Sequence, residues 1–194
     1  MGDRSRSTGA AIGLPNDLAE VVAFAGRFHD VGKADRRFQR WLDPDGGGRP
    51  HCEVLVVPRQ VAGESRAAGW LQGGRHEALS GRLVQEWLRT SQEGARLGPV
   101  QAALLLHLVV SHHGHARPMI APAADTAGGD VALTLDGTDR AAAACLSDVD
   151  WEQPRRFRLL NDEFGPWGLA LLEAIVRRSD HAVSGGGWTG RAIE

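Results

Sequence analysis

Histidine and aspartate gather at four places in this sequence: His29-Asp30, His76 in Arg75-His76-Glu77, His112-His113 before Gly114, and Asp180 in Arg178-Ser179-Asp180-His181. Imidazole and carboxylate together suit Mn, Fe, Co, Ni or Zn. A carboxylate such as Asp30 can bridge two cations, the arrangement by which dinuclear centres activate water against a phosphoester. His29-Asp30 alone also fits a polar helix end. Paired histidines closing an apolar helix need partners, because burying polar rings without them costs free energy. The four places together therefore point to a metal site. His107 sits among leucines in mid-helix and reads as a hydrogen-bonded core residue. His51, His115 and His181 read as solvated or supporting, with His115 the best placed to touch a substrate. Glu77 and Glu173 read as helix-surface or supporting groups.

Lys33 is the only lysine of the chain. It follows a glycine, as a phosphate-loop lysine does, but Gly26 and Gly32 are separated by five residues rather than four, and Ala34 stands where Ser or Thr is required. Beside a metal pair, a lone ammonium could instead offset charge on a phosphate or a leaving oxygen. Arg36, Arg37 and Arg40 flank Phe38 and Trp41, and Arg155, Arg156 and Arg158 flank Phe157. Such interleaving suits single-stranded nucleic acid, where rings stack on bases and arginines meet phosphates. It equally fits an amphipathic helix with a solvated face.

The elements carrying these residues follow from periodicity. Residues 1–14 read as a flexible lead-in. A helix opens at Pro15-Asn16, presents Leu18, Val21, Val22, Ala25 and Phe28 at helical spacing, and ends before Gly32. Ala34 to Leu42 reads as a short helix, and residues 43–75 as a long irregular stretch with one apolar run, Val54 to Val57. Glu77 to Gln92 and Pro99 to His113 read as helices, the second apolar nearly all round and therefore central. Val131 to Leu135 before Asp136-Gly137 reads as a strand or hairpin arm, and Arg140 to Leu146 as a short helix. A last helix runs from Pro166 to about Ala182, and residues 185–194 read as a flexible tail. The fold class is all-α, with at most one small β-hairpin.

A chain of 194 residues with net charge −2 and 42% hydrophobic residues suits one domain with a sizeable core. Cys52 and Cys145 lack metal or redox spacing and fit a reducing compartment. No signal-peptide core and no membrane-length apolar run is present, so a cytoplasmic protein with no membrane partner is expected.

HDVGKADRRFQ, RHE, SHHG and the late GPWGLALLEAIVRRSDHAVS together resemble the HD nuclease domain of the type I CRISPR-associated helicase–nuclease, a branch of the HD phosphohydrolase superfamily. The resemblance runs from about residue 15 to 184, and GPWGLALLEA is similar to the variant in which this domain follows the helicase in one polypeptide. It implies an HD-domain helical bundle that holds one or two divalent transition-metal ions (Mn, Fe, Co or Ni). By position, His29, Asp30 and Asp180 match ligands of one ion. Asp30, His76, His112 and His113 match ligands of the other. Asp30 and Lys33 take catalytic roles, and Lys33, Arg36, Arg37 and His115 contact substrate, with Gln39 in support.

The implied activity is endonucleolytic and exonucleolytic cutting of single-stranded DNA in CRISPR interference, an antiviral defence. The implied partners are the displaced DNA strand, a helicase domain or subunit in cis or in trans, and an RNA-guided effector complex. One departure stands out: the family usually carries a further ligand histidine on an upstream helix, and no histidine precedes His29. The rival readings are an HD phosphohydrolase of small nucleotides and a catalytically impaired HD scaffold.

Overall fold

The structure is a computed structural model and describes residues 1–42 and 68–185. Its first element is a helix, α1 (Gly2–Ala11), where a flexible lead-in was expected. The Gly and Ser residues that suggested flexibility form a close-packing face. Gly2 lies against the Ala23 carbonyl, and a Cβ on Gly26 would meet Ser5 Oγ at 2.5 Å, so the two helices approach backbone to backbone. The second helix, α2 (Asn16–Phe28), follows the predicted stripe, with Val21, Val22, Ala25 and Phe28 buried.

After His29-Asp30 the chain makes a 3-10 turn, Val31–Ala34, and then α3 (Arg36–Leu42). Asp35 separates them and caps α3, accepting hydrogen bonds from Arg37 N at 2.7 Å and Phe38 N at 3.4 Å. The run Val54 to Val57, His51, Cys52 and the tail from 186 onward lie outside the described residues.

Two more helices, α4 (His76–Thr90) and the short α5 (Gln92–Arg96), precede α6 (Pro99–Ser111), whose residues from Leu104 to Ser111 are all buried. Proline at its first position and a left-handed Gly114 (φ 84°) just past its end delimit α6. Phe24, Phe28 and Trp87 pack ring on ring where α2 meets α4, the Phe28 and Trp87 centroids 4.9 Å apart. The main core joins α2, α4, α6 and the last helix. A smaller cluster of Phe38, Trp70, Leu79, Leu83, Val131 and Leu146 lies under the hairpin.

The hairpin pairs β1 (Asp130–Leu135) with β2 (Thr138–Ala143), antiparallel. The short helix expected from Arg140 is instead this second strand and the chain after it. Asp136 and Gly137 both have positive φ, 52° and 69°, so the chain reverses in two residues and the alanines that favour a helix are drawn into the ladder. Buried Arg140 anchors the reversal through the Leu135 and Thr138 carbonyls. The last helix, α7 (Gln153–Gly185), begins well before Pro166 and bends at Gly165 (φ 68°) and Pro166. Among the described residues no helix is long and apolar enough to cross a membrane.

Candidate metal centre

Four helix segments deliver polar side chains to one place. His29 ends α2, His76 starts α4, His112 ends α6 and Asp180 lies near the end of α7. The carbonyl ends of α2 and α6 favour a cation there. The six side chains form two donor groups that share Asp30: Asp30 with His76, His112 and His113, and Asp30 with His29 and Asp180. Within each group the candidate ligand atoms all lie within 4.8 Å of one another.

Asp30 divides its two oxygens between the groups. Oδ1 is 3.0 Å from His76 Nε2 and 3.8 Å from His112 Nε2. Oδ2 is 3.2 Å from His29 Nε2 and 2.6 Å from Lys33 Nζ. His29 Nε2 also lies 3.4 Å from Asp180 Oδ1.

Local folding aims the rings. His29 Nδ1 donates to the Gly26 carbonyl at 3.0 Å, and His112 Nδ1 donates to the Val109 carbonyl at 2.7 Å. A carbonyl can only accept, so the proton sits on Nδ1 and Nε2 is turned inward. Both Nε2 atoms are buried without a hydrogen-bond partner. An orphaned buried polar atom costs about 1–3 kcal/mol. His112 Nε2, kept neutral and aimed at Asp30 and the other histidines, is what a cation would satisfy, so the four-donor group fits a metal. Buried Glu77 lies 3.4 Å from His76 Nδ1 and can hold that ring's proton, leaving Nε2 for a cation.

For His112 and His113 electrostatics agree with this use. Burial and the nearby rings of His29, His113 and His76 keep His112 well below the ordinary histidine range. Burial likewise lowers His113. Both are therefore uncharged and ready to ligate at neutral pH. Burial also pulls on His29, but Asp180 and Asp30 outweigh it and raise its pKa to about 9. Burial disfavours the Asp30 carboxylate, yet His29, His76 and Lys33 hold it far below the usual carboxylate range. Asp180 is lowered in the same way, its burial overcome by His29.

Other residues hold the turn that carries the His-Asp pair. Ser80 Oγ donates to the His29 carbonyl at 2.7 Å and accepts from Gly32 N at 2.8 Å, tying the turn to α4. Gln39 Nε2 donates to the Lys33 carbonyl. Sequence reasoning missed Ser80, since a serine on the buried face of a helix carries no signal of its own. It also underrated Glu77, which its place beside His76 could have flagged.

The expected substrate contacts separate. Lys33 adjoins Asp30, while Arg36 and His115 are exposed. Arg37, expected to contact substrate, is engaged within the fold. Its guanidinium donates to Asp35, to Asp125 at 2.9 Å and to the Ala144 carbonyl at 2.9 Å, and lies over Trp70. All its donors are spent inside the fold, because the two carboxylates must be neutralised there. His107 is the core residue expected. Its Nε2 faces Glu173 at 2.6 Å and its Nδ1 accepts from Gln153 at 3.2 Å. Glu173 is buried, not on the helix surface. A groove of about 640 Å³ opens beside His29 and Asp30 and runs past Arg6 and Arg27 toward the hairpin turn.

A helical bundle with an adjacent His-Asp pair, closed by further histidines and a late aspartate, is the layout of an HD domain. The sequence matches the family described as Cas3, HD domain, over residues 4–176. The chain belongs to that family, which places it among the metal-dependent nucleases of CRISPR systems. The match begins within α1, a helix upstream of the His-Asp pair that carries no histidine, and ends before Asp180. No curated protein and no solved structure matches the chain.

Proposed function

We propose that this chain cuts single-stranded DNA in CRISPR interference, using a divalent transition metal held by Asp30, His76, His112 and His113, with His29 and Asp180 completing the site. One observation carries the reading: the buried Nε2 of His112, without a hydrogen-bond partner, is turned toward a carboxylate whose two oxygens serve two donor groups. Mn, Fe, Co or Ni suits this nitrogen-rich set. When bound, the ion supplies Lewis-acid activation of water and of the phosphate.

The protein's own share is positioning and charge. Asp30 orients both donor groups, Lys33 faces negative charge gathering on the phosphate, and Glu77 steadies His76. Arg36, His115 and the groove past Arg6 and Arg27 receive the strand; an open groove suits a polymer better than a closed nucleotide pocket would. The strand would come from a helicase, in cis or in trans, working with an RNA-guided complex in the cytoplasm.

Circular single-stranded DNA incubated with Mn(II) or Ni(II), beside a panel of nucleotides, tests this. We expect the circle to be opened and then degraded, which requires internal cutting followed by cutting from ends, and we expect Asp30→Ala and His112→Ala to lose both. Release of phosphate or nucleoside with the DNA intact would instead identify a small-nucleotide phosphohydrolase. Failure to bind metal after reconstitution would identify a scaffold.

A further inference from the structure

The two donor groups are unequal. One offers four donors, three of them imidazoles, and the other offers three donors, two of them carboxylates and one of those shared. The smaller group also has a cation already in contact with it. Lys33 Nζ sits 2.6 Å from Asp30 Oδ2, the oxygen that faces His29. This is a short, charge-assisted contact. It is also built in: the 3-10 turn Val31–Ala34 sets Lys33 three residues past Asp30, and Gln39 holds the Lys33 carbonyl. The Lys33 side chain is 17% exposed, so water screens the pair little.

Resting on the metal-nuclease reading above, we propose that the Lys33 ammonium is the resident second cation of this site. The chain then holds one divalent ion, in the four-donor group, and fills the three-donor group with its own lysine.

The reasoning is electrostatic and geometric. A dication on Asp30 Oδ2 would have to displace the ammonium or sit beside it, and like charges a few ångströms apart in a buried site repel strongly. His29 Nε2 and Asp180 Oδ1 alone are too few to hold a transition metal against that. Lysine is the residue for the task. Its ammonium is a compact point charge that can rest on one carboxylate oxygen, whereas the planar arginine fork seeks two. In a chain whose other basic residues are all arginine, the one lysine stands at this position. Lys33 thereby places fixed positive charge where a two-ion enzyme would hold its second ion, with no ion to lose.

Metal content settles the matter without reference to activity. Protein is loaded with Mn(II), desalted, and its metal measured by mass spectrometry, with calorimetric titration in parallel and circular dichroism confirming the fold. We expect one Mn(II) per chain for the wild type and for Lys33→Arg. We expect two for Lys33→Ala and for Lys33→Met, the methionine keeping the packing of the stem, with the second ion at least roughly tenfold weaker than the first. Lys33→Ala with Asp180→Ala should return to one. Two ions in the wild type, or one in both Lys33→Ala and Lys33→Met, overturns the proposal and leaves the nuclease reading standing. No ion in any of them overturns both.

Discussion

Gly32→Ala is the sharpest probe of how this site is assembled. Gly32 does not occupy a left-handed conformation; among the described glycines it is instead the one most tightly enclosed by another element. A Cβ there would lie 2.1 Å from the His76 carbonyl, 2.5 Å from Ser80 N and 2.8 Å from Ser80 Oγ. Real Cβ contacts essentially never fall under 3.0 Å, and two of the three atoms are backbone, so the turn and α4 must part by about 1 Å. Overpacking of that kind costs about 1–3 kcal/mol. The same movement stretches the two hydrogen bonds through Ser80 Oγ, worth about 1 kcal/mol each. The expected loss of stability is about 2–5 kcal/mol.

Gly32→Ala also separates Asp30, on the turn, from His76, on α4, whose contact is now 3.0 Å. Disturbing groups that orient ligands lowers metal affinity by about 10–100-fold. Urea unfolding and Mn(II) titration measure the two effects. Gly98→Ala, where the nearest atom is an ordinary 3.6 Å away, should change stability by less than about 1 kcal/mol. An unchanged unfolding midpoint together with unchanged Mn(II) affinity in Gly32→Ala would refute the reasoning.

Further outcomes follow from the charged residues. His107 has its pKa pushed down to about 4 by burial and by Arg117 and Arg156, and Gln153 donates to the nitrogen a proton would need. Above pH 6.5 the imidazole is neutral whether the chain is folded or not. As the pH falls from 6.5 toward 4, the unfolded chain takes up the proton and the folded one does not, so stability drops by up to about 3 kcal/mol. Urea unfolding of wild type and His107→Gln across that range should show the difference shrinking by this amount. Arg37→Ala strands Asp35 and Asp125 in the fold and should cost about 2–4 kcal/mol in the same assay. Arg36→Ala should leave stability within about 0.5 kcal/mol, yet weaken binding of a single-stranded oligonucleotide and reduce its salt dependence by about one phosphate contact.

Much of the site was legible in the chain because its chemistry depends on residue type and order. His29-Asp30, His76, His112-His113 and Asp180 stand at helix boundaries marked by Gly, Pro and apolar periodicity. Those are local signals, and the helices they bound form largely as expected. Where local and distant signals conflicted, the distant ones won. Arg140 to Ala143 pairs with β1 because a two-residue turn supplies a partner strand, which alanine's helix preference does not outweigh. α1 exists because its small residues let it lie close on α2.

Residue identity marked Arg37 as a contact for DNA, and the same identity serves a buried ion pair; which role it fills depends on Asp125, 88 positions away. Gly32 looked like a helix stop and is a contact point for α4. The list of metal-ligand candidates could be written from the linear order alone. The sharing of Asp30 between two groups, the turning of two imidazoles by backbone carbonyls and the seat of Lys33 on one oxygen required the folded chain. Each is a matter of ångströms between atoms on different helices, and sequence spacing carries no such distances.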